Sequence, residues 1–393
     1  MSAGSASIGS TRIDATRERM GALREAIERD VADRRYWGAA VRVIQRGETV
    51  LDVTHGAADA AGERPLRPDS VFTIMSLTKA FINVLVLRAV EQGRFALTTP
   101  MVELVPGFAG APRDRATIAH FLTHTTGMPG VWEARPDLDL DDLDPIVAAV
   151  LAGVHGAVEP GTRCDYAPMA NHVLMAEALR RTDPAGRSIN DMLEQDLFEP
   201  LGMHDTRLGI RAHMRDRHAG LDDRGIFPIR HRSRQVEGDH GLFFAERHEM
   251  VWAGAASTLD DLSRFARMLA AGGELDGVRI LSPVMLRLAR RNHTGDLPNE
   301  LYRTVALRAG YEPPPASLGL GFSLRGDRLV RSQFGTLASP ETFGNYGAGS
   351  TQYWIDPELD LVFVALTTGL MPAAANIDRF QRLSDLAIAA ADS

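Results

Sequence analysis

The sequence predicts an α/β (α+β) protein: an antiparallel sheet flanked by helices, assembled from both ends of the chain, with a helical insertion between them. Three observations predict it. Alternating β-branched residues open the patterned part of the chain at about residues 38–59. Segments of strand character return from about residue 275, and a helical pattern closes the chain over roughly 374–391. Between them, about 112–265, lie helical patterns and long loops, so the order is helix, strands, helical middle, strands, helix.

Residues 1–15, rich in Ser, Gly and Ala, read as a disordered leader. From about 16 to 31, Met20, Leu23 and Ile27 recur at helical spacing. "GAAVRVIQRGETVLDVTHGAAD" reads as two strands joined by a turn at Arg46-Gly47. Residues 76–92 form a long apolar helix ended by Gly93. "SLGLGFSLRG", "GSTQYWIDPE" and "LDLVFVALTT" read as successive antiparallel strands, the last apolar enough to be central. These elements divide into an α/β domain (16–111 and 266–393) and a mostly helical domain (112–265), with the functional cleft expected between them.

Composition excludes several function classes. Among 393 residues, 45% are hydrophobic and 24% charged, ordinary for a globular chain. The net charge of −8 argues against a nucleic-acid partner. The arginine-rich stretch 211–234 is interrupted by Asp216, Asp222 and Asp223 and reads as a solvated loop. "DLDLDDLDP" (137–145) lacks the glycine and glutamate of a calcium loop and reads as an acidic turn entering a helix. The twelve histidines show neither H-E-x-x-H nor Cys/His metal spacing, and there is no phosphate-binding glycine loop, so neither metal nor organic cofactor is expected. Cys164 is the one cysteine, which fits a reducing compartment. No signal-peptide run and no 18-residue apolar stretch is visible; a cytoplasmic protein with no membrane partner is the expectation.

One residue stands out against this background. Of 43 Lys+Arg, a single one is lysine, Lys79, in "FTIMSLTKAF". Arginine serves as well for a solvated charge, but only lysine can lose its proton and act as a base. Ser76 lies three residues earlier, on the same face of a helix start. A serine hydroxyl is a weak nucleophile until a base takes its proton, and a desolvated lysine can do so. Ser76 is therefore the candidate nucleophile and Lys79 its base. The G-x-S-x-G elbow of other serine hydrolases is absent.

Several stretches then resemble one family, the class C β-lactamase-like serine hydrolases: "VFTIMSLTKAF", "FLTHTTGMPG" (121–130), "EPGTRCDYAPMANHVL" (159–174), "LFEPLGMHDT" (197–206), "AGAASTLDDLSRFARMLAAGG" (253–273) and "FGNYGAGSTQYWIDPE" (343–358). They keep the family's order across about residues 38–370. The family includes penicillin-binding proteins, D-aminopeptidases, family VIII carboxylesterases and some acyltransferases, and its character here is closest to the carboxylesterases and acyltransferases.

The resemblance implies a β-lactamase/transpeptidase-like fold, with Ser76 as nucleophile, Lys79 as base partner and Tyr166 as a phenolate sharing the proton transfer. It implies an oxyanion hole from the backbone amides of Ser76 and Ala348. Its third motif falls on Asn345, Tyr346 and Gly347, which with Trp252 and Trp132 form the expected substrate-binding set; Phe343–Tyr346 is expected along an apolar acyl pocket. His124, in "THTTG", is expected to be structural and away from the nucleophile. Two departures matter: Pro168 stands where the family has asparagine, and Asn345 where a lysine or histidine would attract a substrate carboxylate. Both weaken β-lactam recognition. The expected activity is hydrolysis of a small-molecule ester or thioester through an acyl-enzyme. Acyl transfer to an alcohol, a β-lactamase or D-amino-acid peptidase, and an idle binding protein on the same scaffold are the alternatives. Oligomeric state is not legible.

Overall fold

The structure is a computed structural model; it describes residues 13–130, 138, 141–220, 245–348 and 350–391. Its strands are β1 (Gly38–Gln45), β2 (Glu48–Gly56), β3 (Val71–Thr73), β4 (Arg207–Leu208), β5 (His218–Ala219), β6 (Ala255–Ser257), β7 (Glu274–Leu275), β8 (Val278–Arg279), β9 (Ser323–Leu324), β10 (Phe343–Gly347), β11 (Thr351–Asp356) and β12 (Leu361–Thr368). The longer helices are α1 (Gly21–Ala32), α2 (Thr78–Glu91), α3 (Leu143–Gly153), α4 (Pro168–Thr182), α5 (Leu259–Ala270), α6 (Glu300–Ala309) and α7 (Ala373–Ala390).

The main sheet is antiparallel with strand order β2-β1-β12-β11-β10-β9. Both ends of the chain meet in it, because β1 pairs with β12 from Gly38 opposite Thr368 to Gln45 opposite Leu361. The hairpin between β1 and β2 turns at Arg46 and Gly47, both at positive φ (52° and 79°), which matches the twist of two paired strands. β12 is buried along its whole length, and its side chains alternate between two cores. Leu361, Phe363 and Ala365 pack with Met20 and with α1 and α7 residues such as Leu23, Ile27 and Phe380. Val362, Val364 and Leu366 face the larger core that contains α2, α4 and α5. A strand covered on both faces reads as an uninterrupted apolar run, which is why the sequence marked it as central.

"SLGLGFSLRG" contributes only Ser323–Leu324 as strand, so the sheet edge at β9 is shorter than its pattern suggested. The middle of the chain holds α3 and α4, and also supplies most of a second small sheet, order β4-β6-β3-β5, that its helical pattern did not announce. Strands of two or three residues are too short to show a period of two. This small sheet carries the approach to Ser76, with β3 paired to β6 and to β5. In the acidic turn, Asp142 accepts from Asp144 N–H (2.9 Å) and caps α3. Residues 13–19 are helical and lead into α1, so the end of the expected leader is ordered; residues 1–12 lie outside the described part. So does 221–244, which takes in most of the arginine-rich stretch. Among the described residues, no helix is long and apolar enough to cross a membrane.

Candidate active site

Ser76 lies on a 3-10 turn, Met75–Leu77, between β3 and α2, so the α-helix starts two residues later than the sequence suggested. Met75, just before it, has φ 49°, a conformation a side chain pays for and one that surrounding bonds must hold. Those bonds are present. Thr78 Oγ1 donates to Met75 O (2.6 Å) and accepts from Ala255 N–H (2.9 Å). Ile74 O accepts from Thr351 Oγ1 (3.0 Å). The turn is thereby tied to β6 on one side and β11 on the other.

Three side chains converge on this turn. Lys79 Nζ is 2.7 Å from Ser76 Oγ and donates to Trp252 O at 2.5 Å. Tyr166 OH donates to Ser76 Oγ at 3.0 Å, across 90 residues of sequence. Lys79 is 4% exposed, and no carboxylate pairs with it among the described residues. Burial therefore drives its pKa well below the ordinary lysine value of 10.5, towards the neutral amine. Tyr166 moves the opposite way: burial pushes its pKa up to about 12, with the Ser76 hydrogen bond opposing. This direction runs against the phenolate expected at Tyr166 and favours the protonated phenol.

β10 closes the other side. A Cβ on Gly347 would lie 2.3 Å from Thr351 Oγ1 and 2.5 Å from Ile74 O. Only glycine allows the strand this close to the nucleophile turn, and the approach brings Ala348 to the same cavity as Ser76. Asn345 also lines the cavity, but its side chain is engaged: Nδ2 donates to Gly321 O (3.1 Å) and Oδ1 accepts from Tyr353 OH (2.5 Å). Tyr346 lines the cavity too, its phenol oxygen accepting from Asn376 Nδ2 (2.9 Å).

The aromatic expectations fare unevenly. Trp252 does not line the cavity with its ring; it contributes its backbone carbonyl to Lys79, and the indole packs against the larger core. Trp132 lies outside the described residues. Phe343 is fully buried behind Phe322, ring centroids 5.4 Å apart, and it is Phe322 that meets the cavity. Pro168 occupies the first turn of α4, where its missing N–H costs nothing.

His124 is where the structure departs furthest from the sequence reading. Its Nδ1 accepts from Ala167 N–H (3.3 Å) and Asn171 Nδ2 (3.1 Å), the structural bonding expected. It is not remote from the nucleophile, however. It lines the cavity with its ring 4.8 Å from that of Tyr166, and burial lowers its pKa to about 3, towards the neutral ring. Behind it, His172 Nε2 lies 3.1 Å from Asn83 Oδ1, and Asn83 Nδ2 donates to Gly321 O (3.0 Å). The sequence reading did not single out Asn83, the cavity roof or His172, although His172 falls within the matched stretch 159–174.

The cavity over Ser76 has a volume of about 300 Å³. Its walls are largely aliphatic and aromatic, with Leu301, Tyr302 and Val305 from α6 and Met371 and Ile377 at the start of α7. Lys79 is the one cationic side chain among its described lining residues. A nucleophile beside a neutral amine, at the floor of an apolar cavity, can attack a carbonyl and form an acyl-enzyme.

Comparison with known proteins identifies the family. The sequence profile of the family described as Beta-lactamase matches residues 23–387. The chain is 25% identical over 369 residues to "Esterase/beta-lactamase LipL" of Mycobacterium tuberculosis, covering 86% of this chain and 78% of that one. A penicillin-binding protein homologue from Caulobacter crescentus superposes with TM-score 0.74 at 26% identity, covering 95% of this chain and 97% of the other. A family VIII carboxylesterase superposes with TM-score 0.76 at 23% identity, again over 95% and 97%. The architecture built from both chain ends is the β-lactamase/transpeptidase fold, and the chain belongs to the beta-lactamase family of serine hydrolases.

Proposed function

We propose that the protein hydrolyses carboxylic esters through an acyl-enzyme on Ser76. The observation that carries this reading is the placement of Ser76 Oγ between a buried Lys79 Nζ (2.7 Å) and the Tyr166 hydroxyl (3.0 Å). The neutral Lys79 amine takes the Ser76 proton as Oγ bonds to the carbonyl carbon. The oxyanion that forms is met by the backbone N–H groups of Ser76 and Ala348. Tyr166 gives its proton to the departing alkoxide as the C–O bond breaks, and the neighbouring Lys79 ammonium then passes the proton taken from Ser76 directly to the Tyr166 oxygen. Water then attacks the acyl carbon, giving one proton to this pair, and Ser76 Oγ leaves and is reprotonated. The products are the acid and the alcohol.

Esters are preferred over β-lactams because Asn345 is neutral and already bonded, and among the described residues no cationic side chain besides Lys79 lines the cavity to anchor a carboxylate. The apolar enclosure favours a second reading, acyl transfer to an alcohol, since a cavity that excludes water lets an acceptor compete. A panel of p-nitrophenyl esters, thioesters and nitrocefin, with and without alcohol acceptors, tests both. Ester turnover well above nitrocefin turnover is expected, and product analysis separates hydrolysis from transfer. Nitrocefin turnover equal to the best ester contradicts the proposal. Absence of a fluorophosphonate adduct on the folded protein would favour the idle-binder alternative.

A further inference from the structure

The cavity roof carries polar atoms that the protein leaves unused. Asn299 caps α6: its Oδ1 accepts from the N–H groups of Leu301 (3.1 Å) and Tyr302 (3.5 Å). The cap occupies the oxygen and leaves Nδ2 without a hydrogen-bond partner among the described residues, although Asn299 is 4% exposed and lines the cavity. Tyr302, next along the roof, lines the cavity with a phenol that likewise has no partner among the described residues. Burial and the neighbouring phenols of Tyr346, Tyr166 and Tyr311 push its pKa up, so it stays an uncharged O–H donor. His124 adds a third: its Nδ1 is an acceptor twice over, so the ring proton is on Nε2, which also has no partner among the described residues.

Tyr302 is half-buried and none of the three donors is sealed from solvent, so each faces the cavity, where a ligand acceptor can replace water. In a ligand cavity a few convergent polar groups on an apolar wall fix orientation and specificity. Here the apolar part is Leu301, Val305, Met371 and Ile377, and among the described lining residues no carboxylate, and no basic side chain besides Lys79 on the floor, is placed to pair with a charged group. A volume of about 300 Å³ has room for on the order of ten water-sized groups, a chain of medium length.

We propose that the substrate group filling this cavity is uncharged and mostly aliphatic, and carries a second acceptor oxygen, as a ketone, hydroxyl or ether remote from the scissile carbonyl, that is bound by Tyr302 and Asn299. The proposal rests on the reading of this cavity as the substrate site of Ser76.

The test compares p-nitrophenyl octanoate with its 5-oxo, 7-hydroxy and terminal-carboxyl analogues, reading the ratio of kcat/KM values. In parallel, the matching N-propyl amides, which do not depend on turnover, are titrated by calorimetry. At least one neutral oxygenated chain should be preferred over the plain chain by several-fold to about tenfold, the size of one good hydrogen bond; the terminal carboxylate should be the poorest. Tyr302→Phe should collapse that preference towards unity in both measurements. Leu307→Ala, on the outer face of the same helix (61% exposed), should leave it intact. If the esters are inert while the amides keep a Tyr302-dependent preference, the cavity assignment stands and the esterase reading falls. If wild-type protein binds plain and oxygenated amides alike, or Tyr302→Phe leaves the preference unchanged, the donors serve only water and the proposal is overturned.

Discussion

The floor of the cavity, where Ser76 sits, and its roof, formed by α6, use their polar atoms differently. On the floor, Ser76 Oγ has two partners, Lys79 Nζ has two, and Thr78 and Thr351 tie the turn to neighbouring strands. On the roof, Tyr302 and Asn299 hold donors with no protein partner among the described residues, and α6 packs against α7 while exposing Leu307 to solvent. In the proposed mechanism the floor is preorganised for charge that develops during reaction, which is how a site contributes most to rate. The roof defers its hydrogen bonds to whatever enters. Substitutions on the floor should therefore change rate, and substitutions on the roof should change choice of substrate.

The largest effect belongs to Ser76→Ala. Turnover should fall by at least about ten-thousandfold, and the fluorophosphonate adduct should vanish from the intact mass. The melting temperature should barely move, since only a hydroxyl is lost. An adduct that persists on another serine would break the assignment of the floor.

Lys79→Arg and Tyr166→Phe come next, each costing at least about a hundredfold in kcat. The double variant should lose much less than the product of the two, because both act on one proton relay. Lys79→Arg should also lower thermal stability, because a larger and permanently charged guanidinium replaces a side chain that is almost wholly buried. Lys79→Met separates the two effects: activity should disappear while the melting temperature holds or rises.

The pH dependence follows from the same group. In the proposed mechanism the reactive form has neutral Lys79 and protonated Tyr166. Activity should rise with pH through the folded Lys79 pKa, which lies below 10.5, and stay level until Tyr166 ionises near about 12. Between the folded value and 10.5 the unfolded chain binds the extra proton. Stability therefore rises with pH across that window and is lost as pH falls through the folded pKa. Lys79→Met should remove this contribution; an unchanged urea-unfolding profile against pH would show that Lys79 is not desolvated as described.

Gly347→Ala tests how closely the floor is fitted. The added methyl meets Thr351 Oγ1 and Ile74 O, so β10 must withdraw from Ser76. Activity should drop about tenfold or more with a stability loss of about 1–3 kcal/mol, the usual cost of overpacking. Retained activity would place the oxyanion donors elsewhere. The smallest effect is expected on the roof. Val305→Phe should shorten the preferred acyl chain by about two carbons, the length a larger side chain displaces, while the best substrate's kcat stays within a few-fold. A uniform loss across chain lengths would merge roof and floor into one functional unit.

Much of this was legible in the sequence because it depends on residue identity or on spacing along one element. The Ser76/Lys79 spacing is set by one turn of helix, the alternation in β1 and β2 by a pleated strand, and the whole-length burial of β12 by its apolar run. The uniqueness of Lys79 among the basic residues is a statement of composition. The matched motifs brought Tyr166 into the set from 90 residues away, which periodicity could not do. Tertiary structure decided the rest. The carbonyl of Trp252 that holds Lys79 belongs to a backbone every residue shares, so no side-chain pattern announces it. Whether Lys79 and Tyr166 carry charge depends on how much water reaches them, and burial shifts Tyr166 away from the phenolate its motif implied. His124 reached the cavity because the segment 123–127 packs against the start of α4. The free donors of Asn299 and Tyr302 exist only because α6 is folded over Ser76; a hydrogen bond left unmade is a property of surroundings, and the sequence by itself names the donors without their surroundings.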